Sequence, residues 1–424
     1  MAACGPFERE PHLAVGVSGG PDSLALMHLL AGWVAARGGK LTALTVDHGL
    51  RQNSSAEAGQ VARWAQQAGV DHQTLEWVSP KPRAGLQAAA REARYNLLTA
   101  WCRDHDVLHL AVAHQLDDQR ETVAMRRARD AGENAGLAGM SLISIRQGVR
   151  LIRPLLPVPA GLLKDHLQSR GLGWIDDPSN SEPRFERIRW RQGLNGALPS
   201  VEDIRRWGEA RRVQEAAVAG LLSRSVHIHD AGYVLIDLSS WAETGPIPRA
   251  QALGHLVAMV GGLGYLPAKA ALNRVVDGLI AGGPLQSLGG TLVGTWRGQG
   301  LICREAAAVE QLGAIKGPAS CRWDGRFLVT VPSDREDLWI DVLGQKGVAE
   351  MGQDGHSRNY FADIPPAARP SLPALRDATG RLTAIPHVGF DPYGQGLNVH
   401  FHFRPHYSVT SSGFTVAHGW PHTI

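Results

Sequence analysis

Short runs of apolar and β-branched residues alternate, over about the first 170 positions, with longer segments whose apolar side chains recur every three to four residues. The runs are LAVGV from Leu13, LTALTV from Leu41, HQTLEWV from His72, VLHLAVA from Val107 and VRLIRPLL from Val149. Helical patterns start near Ser23, Ser54, Leu86, Asp117 and Pro159. In the third of these, Leu86, Ala89, Ala93, Leu97, Leu98 and Trp101 share one face, which leaves Arg91 and Arg94 on another face or its edge. Strands separated by helices long enough to cross back over a sheet predict an α/β domain with a parallel sheet.

The pattern then changes. Residues 200–224 are charged and helical, and RAQALGHLVAMVGGLGYLPAKAALNRVVDGLI reads as two helices interrupted by glycines. From about Pro284, glycine-bounded short runs such as TLVGTWRGQGLICRE and CRWDGRFLVTVP predict a β-rich module. The expected division is therefore an α/β domain over 1–195, a mostly helical domain over 196–283 and a β-rich domain over 284–424.

Composition narrows the class. The 424 residues are 44% hydrophobic and 20% charged, as in globular domains. The longest apolar stretch, Leu24 to Ala36, is broken by His28 and falls short of the ~20 residues of a membrane span. The first residues lack the basic and apolar regions of a secretory signal, so a cytoplasmic location and no membrane partner are expected. Cys4, Cys102, Cys303 and Cys321 are widely spaced, which indicates neither a disulfide framework nor a cysteine metal site. A formal charge of +3 permits a nucleic-acid partner without demanding one.

The segment LAVGVSGGPDSLALMHLL carries the chemistry. A buried-type strand breaks into Ser18, Gly19, Gly20, Pro21, Asp22 and Ser23 and re-enters a helix. Glycines let backbone amides approach a bound group, and the helix start points unsatisfied N–H groups at the same place, which together make a phosphate nest. A Walker loop would need a lysine after the last glycine, whereas the nearest is Lys40. The dinucleotide fingerprint is out of register.

Further polar groups fall at predicted strand ends. Asp47 and His48 close the second strand, where open α/β sheets bind nucleotides, although an Asp-His pair also caps turns. His114 ends the fourth strand, and Asp117 and Asp118 begin the next helix, where carboxylates favour the dipole whatever else they do. Asp118 and Glu121 share a helix face and form a converging pair suited to magnesium or an ammonium group. Arg91 and Arg94 suit phosphate or solvated helix pairs. In VHFHFRPHYSV, His400 and His402 alternate with Phe401 and Phe403, as on the exposed face of a strand, and we assign no metal there.

SGGPDS after a first strand resembles the pyrophosphate loop of N-type ATP pyrophosphatases. With VDHGLR, AAREARY, HxxDDQxET, GLAGM, RPLL and DPSN in this order, residues 12 to 200 resemble the tRNA(Ile)-lysidine synthase family. The resemblance implies ATP and magnesium as cofactors, and as substrates free L-lysine and tRNA(Ile) with a CAU anticodon. It also implies adenylation of C2 of the wobble cytidine followed by displacement of AMP by the lysine amine. No obligate protein partner is evident.

Carried over by motif, Ser18, Gly19, Gly20, Pro21, Asp22 and Ser23 would hold the pyrophosphate, with Asp47 and His48 also on the ATP side. Asp22 and Asp118 would hold magnesium. Asp22, Arg94, Asp118 and Glu121 would be catalytic, and His114, Asp117, Arg187 and Arg191 would face lysine or tRNA. Two departures stand out: Gln115 follows His114 where many members have a second histidine, and Ile188 follows Arg187 where they have asparagine. The competing readings are a tRNA thiolase, for which the cysteines are unsuited, an amidotransferase, for which no glutaminase segment is present, and an inactive tRNA-binding module.

Overall fold

The computed structural model describes residues 1–50, 53–82, 84–129, 138–176, 190, 197–310, 313–314, 318–331, 338–353, 360–394, 398–409 and 413–417. The chain divides into two units: Met1–Val213 together with Ser411–Ile424, and Gln214–Thr410.

In the first unit the order is β1 (His12–Gly16), α1 (Pro21–Ala35), β2 (Lys40–Asp47), α2 (Ser54–Gln67), β3 (Asp71–Glu76), α3 (Leu86–Asp104), β4 (His109–Ala111) and α4 (Leu116–Arg129). β5 (Ile143–Arg146), β6 (Val149–Ile152), α5 (Ala160–Ser169) and the start of α6 (Val201–Ser225) follow. The sheet order is β3-β2-β1-β4-β6-β5. All pairings are parallel except β5 with β6.

This is the parallel α/β domain that the alternation of runs predicts, with an antiparallel edge strand added. The reason for the central run is visible in its burial. Leu13, Ala14 and Val15 of β1 are wholly inaccessible to solvent, because helices cover both faces of a parallel sheet and leave no polar side to alternate with. β5 escaped the pattern because its ISIR sequence sits at an edge, half solvated, next to a turn at Gln147 and Gly148.

The second unit contains the helices Pro246–Val260 and Lys269–Ile280 and a five-stranded sheet. Its strands are β7 (Val226–His229), β8 (Tyr233–Ile236), β9 (Gln286–Leu288), β10 (Thr291–Trp296) and β11 (Gln299–Arg304), in the order β7-β8-β11-β10-β9. A hairpin thus lies inside the stretch expected to be mostly helical. Two smaller sheets complete the β-rich part, and in the strand His400–Phe403 the histidines are exposed while Phe401 is buried.

A buried ion triad fastens this unit. The Asp324 carboxylate, wholly buried, accepts from Arg304 Nε at 2.9 Å and Nη2 at 2.7 Å and from Arg326 Nε at 2.6 Å. Burial alone would raise the Asp324 carboxyl, but the two guanidiniums hold it below the usual carboxylate range. Burial pulls Arg326 down to about 10, which still leaves it charged at neutral pH. Asp324→Ala leaves two buried cations uncompensated and is expected to cost about 3–5 kcal/mol. Chemical denaturation of the purified variant checks this, and a loss under about 1 kcal/mol would contradict the assignment.

Candidate functional site

In the first unit the strand order reverses direction between β1 and β4, and open α/β sheets bind ligands in the crevice beyond the carboxyl ends of strands at such a switch point. β1 and β4 run in register there, with Val15 opposite Ala111. The loop after β1 and the loop into α4 therefore leave the same edge side by side.

The first of these loops is tightly cross-braced. Ser23 Oγ donates to Gly20 O at 2.9 Å and accepts from Ser18 N at 3.2 Å, so one buried hydroxyl fixes the whole turn. Gly19 has φ +84°, and a Cβ there would meet Ile175 Cδ1 at 2.7 Å; glycine is required both for the backbone conformation and for the close approach. Ile175 N in turn donates to Gly19 O at 2.9 Å. Pro21 occupies the first turn of α1, where its missing N–H costs nothing, and Asp22 places a carboxylate at the positive end of that helix. The turn thus presents the backbone of Ser18–Gly20 and an acidic side chain at one helix start, a cradle fitted to phosphate oxygens with an accompanying cation.

At the adjacent strand end, Asp47 Oδ1 accepts from Gly49 N at 2.8 Å and Oδ2 from Ser55 Oγ at 2.7 Å. Partial burial would raise its carboxyl, yet these bonds, with one from Ser54 and the neighbouring His48, hold it below its ordinary value. Asp47 therefore shapes the turn into α2. His48 Nε2 accepts from Arg94 Nε at 3.4 Å, with Arg94 Nη2 at 3.3 Å, and its ring meets Trp77 edge-on at 5.8 Å. Burial, then the Arg94 and Lys81 cations, outweigh Asp47 and pull His48 down to about 4. The ring is neutral at physiological pH and can accept from Arg94, bringing α3 to the end of β2.

The third part of the site is the start of α4, closed by a reciprocal cap. Gln115 Oε1 accepts from Asp117 N at 2.5 Å while Asp118 Oδ2 accepts from Gln115 N at 3.1 Å, the capping-box arrangement. Gln115, which stands where many relatives in the resembled family have histidine, is buried and does a helix-capping job. Asp117 Oδ2 accepts from Ala160 N at 3.3 Å, so this carboxylate caps α5 rather than the helix it begins. Glu121 is 1% exposed, one turn along from Asp118 on the same helix, and His114 is half-buried just before the cap.

What holds α4 in place is Gln119, a residue whose importance the motif alone did not single out. Its buried amide donates to Met140 O at 2.9 Å and accepts from Met140 N at 2.6 Å. Gly139 has φ +70°, and a Cβ there would lie 2.6 Å from Gln119 Oε1. Arg126 Nη1 donates to Gly139 O at 2.9 Å. On the other side of this segment, Arg153 Nη1 donates to Ser141 O at 2.8 Å and Arg153 N to Leu142 O at 2.9 Å. The DDQxET, GLAGM and RPLL motifs are thus three faces of one clamp.

The structure therefore sets the Ser18–Ser23 loop, Asp47, His48, His114 and Asp118 at the carboxyl ends of β1, β2 and β4, with Arg94 of α3 brought to His48 and Glu121 buried one turn further into α4. Arg187 and Arg191 lie outside the described residues. Among the described residues no group of three or more His, Cys, Asp or Glu is placed to hold a metal ion.

A family model described as a PP-loop domain matches residues 3–198. The tRNA(Ile)-lysidine synthase of Ruegeria pomeroyi is 40% identical over 396 residues, which are 90% of each chain. That of Rhizobium meliloti is 35% identical over 369 residues, 80% of each. Among solved structures, a U34-tRNA thiolase from Methanococcus maripaludis aligns with a TM-score of 0.42 at 18% identity, over 49% of this chain and 76% of that one.

Two outcomes follow from the geometry. Gly139→Ala adds both left-handed strain and a clash with the Gln119 amide, and should cost about 1–3 kcal/mol. Gly148→Ala, with φ +83° and open space around it, carries only the strain. Thermal unfolding of the pair should rank Gly139→Ala well below the control, and equal losses would mean that the clamp is not tight. For His48, the depressed value means that its stabilising share is present above the unfolded value near 6.5 and is lost as pH falls toward 4. Ring nitrogen shifts followed by NMR should give a midpoint near 4; a midpoint above 6 would contradict the burial seen here.

Proposed function

The chain belongs to the tRNA(Ile)-lysidine synthase family of PP-loop ATP pyrophosphatases, and on that premise we propose that it ligates free lysine to C2 of the wobble cytidine of CAU-anticodon tRNA(Ile). Family membership carries the coarser statement, an ATP-using enzyme that modifies tRNA. The lysidine chemistry and the residue roles are our reading.

The cytidine C2 oxygen is a poor leaving group until it is joined to the α-phosphate of ATP, a step that releases pyrophosphate. The lysine amine then attacks C2, the C2–O bond breaks, and AMP departs with the oxygen while the amine gives up a proton. In our reading the backbone of Ser18–Gly20, with Ser23 bracing it and Pro21 setting the helix start, holds the departing pyrophosphate. Asp47 shapes the second strand end and His48 orients Arg94, whose guanidinium offsets charge on the phosphate or the activated base. Magnesium, when bound through Asp22 and Asp118, would neutralise phosphate charge. Asp118 and Glu121 offer one carboxylate for the lysine ammonium and one for the proton released on attack. His114 stands at the entrance to that helix, on the lysine or tRNA side, as we propose also for Arg187 and Arg191. Asp117 contributes by fixing α5 against α4.

One observation carries this reading: the phosphate cradle after β1 and the carboxylate pair after β4 flank a single switch point in the sheet. In our reading a nucleotide at the cradle has the proposed amine-binding carboxylates at the neighbouring strand end. That placement favours transfer to an amine over simple hydrolysis.

The test is incorporation of labelled lysine into purified CAU-anticodon tRNA(Ile), with ATP and magnesium and with a methionine tRNA of the same anticodon as control. Incorporation into the first alone, with AMP and pyrophosphate released, is expected. ATP cleavage without lysine incorporation would move the assignment to another nucleophile. Asp118→Asn keeps an oxygen to accept from Gln115 N, so the cap survives. Lysidine formation should fall at least about 100-fold with tRNA affinity within about twofold. A large loss of tRNA binding would refute the role.

A further inference from the structure

Residues 413–417 return to the first unit after the whole of the second has been traversed, and they dock on the segment that Gln119 clamps. Thr415 O accepts from Leu142 N at 2.9 Å, and Thr415 N donates to Ser141 Oγ at 2.9 Å, across 274 positions of sequence. On either side Phe414 and Val416 are each 5% exposed and form a small apolar cluster with Ala138. The neighbouring helix α6 is shaped to receive them: a Cβ at Gly208 would stand 3.2 Å from the Phe414 ring and 3.4 Å from Val416. The Arg211 guanidinium lies over the Phe414 ring at 4.6 Å.

The relay to the candidate site is short. Ser141 follows Met140, both of whose backbone groups are held by Gln119. Gln119 sits on α4 directly after Asp118 and two residues before Glu121. A cavity of about 40 Å³ has Leu116 and Gln119 on one wall and Phe414 and Val416 on another. With the strap displaced, this space opens to water, and water competes for the Gln119 amide that fixes the pitch and depth of α4.

We propose that residues 413–417 form a positioning strap for the Asp118–Glu121 face of α4, so that the amine half of the reaction depends on a segment far from it in sequence. The bracing of the phosphate cradle comes from Ser23 and Ile175 rather than from the strap. The strap therefore acts on lysine and on turnover more than on ATP, which it reaches only through Asp118. Phe414 and Thr415 are its positioning residues. The inference rests on the reading of Asp118 and Glu121 as the amine-side carboxylates.

The test uses the full chain with Phe414→Ser, with the conservative Phe414→Leu and with Ser141→Ala, which deletes only the hydroxyl that accepts from Thr415. Steady-state lysidine formation is measured well below the unfolding temperature, with lysine and ATP varied separately. Phe414→Ser is expected to raise KM for lysine or lower kcat at least tenfold, with a clearly smaller change in KM for ATP. Phe414→Leu should recover to within about threefold of the parent, and Ser141→Ala should show the same split at smaller size. Should Phe414→Ser prove insoluble, Ser141→Ala carries the test. Parental kinetics for lysine in Phe414→Ser and Ser141→Ala, or a rise in KM for ATP in step with that for lysine, overturns the strap. A parent chain that forms no lysidine instead overturns the function it rests on.

Discussion

The two hydrogen bonds between the buried Gln119 amide and the backbone of Met140 are the constraint on which the candidate site depends. A primary amide at full burial must satisfy both its oxygen and its nitrogen, and here one peptide unit's worth of N–H and C=O does so. Such an arrangement tolerates little displacement, because sliding α4 by a fraction of a turn would break both bonds together. Asp118 and Glu121 ride on the same helix, so their position is set by a residue that does no chemistry. Gly139 belongs to this device: any side chain there would occupy the space of the amide oxygen. A glycine in this motif thus reports a packing requirement at the catalytic helix rather than a turn alone.

The phosphate cradle is built on a different economy. It has no lysine, and its contacts are a buried hydroxyl, backbone groups and one isoleucine pressed onto Gly19. A lysine would bring a mobile charge on a flexible stem, suited to following a γ-phosphate through hydrolysis. A fixed backbone nest suits a leaving group that must be held in one place while the other half of the nucleotide reacts elsewhere. In the reading proposed above, cationic help comes instead from Arg94, across the strand end. There a neutral His48 keeps an acceptor available where a charged imidazole would repel the guanidinium. The suppression of charge on His48 and the retention of charge on Arg94 are one arrangement.

Much of this was legible in the sequence. The five β-type runs and the helix starts near Ser23, Ser54, Leu86, Asp117 and Pro159 reappear as strands and helices, because a parallel sheet buried on both faces leaves a continuous apolar signal. The loop Ser18–Ser23 was legible because glycine, proline and serine at a strand-to-helix turn have few other uses. The edge strand Ile143–Arg146 and the hairpin of Val226–Ile236 were not, since half-solvated strands of four residues lack a periodicity that a helix or loop could not share. Gln115 and Gln119 were hidden for another reason: an amide carries no charge and no fixed chemistry, so only its partners in space reveal what it does. Asp117 shows the converse, a carboxylate conspicuous in the motif whose observed partner is the first N–H of α5.

The docking of residues 413–417 was beyond any local reading, and the energetics explain why it can nonetheless be stable. The entropic cost of closing a loop grows only with the logarithm of its length, about 0.6 kcal/mol for each doubling, so a link across 274 residues costs little more than one across a third of that distance. Against this stand burial of a phenylalanine and a valine, at about 1.5–3 kcal/mol each, and two hydrogen bonds of about 1 kcal/mol each, one to the backbone of Leu142 and one to the Ser141 hydroxyl. The balance favours docking while leaving it weaker than the sheet beneath. A segment so placed is cheap to attach and, because it seals the wall behind Gln119, costly to lose. The first unit is therefore discontinuous in sequence for a physical reason: Phe414 and Val416 complete the apolar groove to which Ala138 and Met140 on one side and Val201 and Ile204 of α6 on the other also contribute.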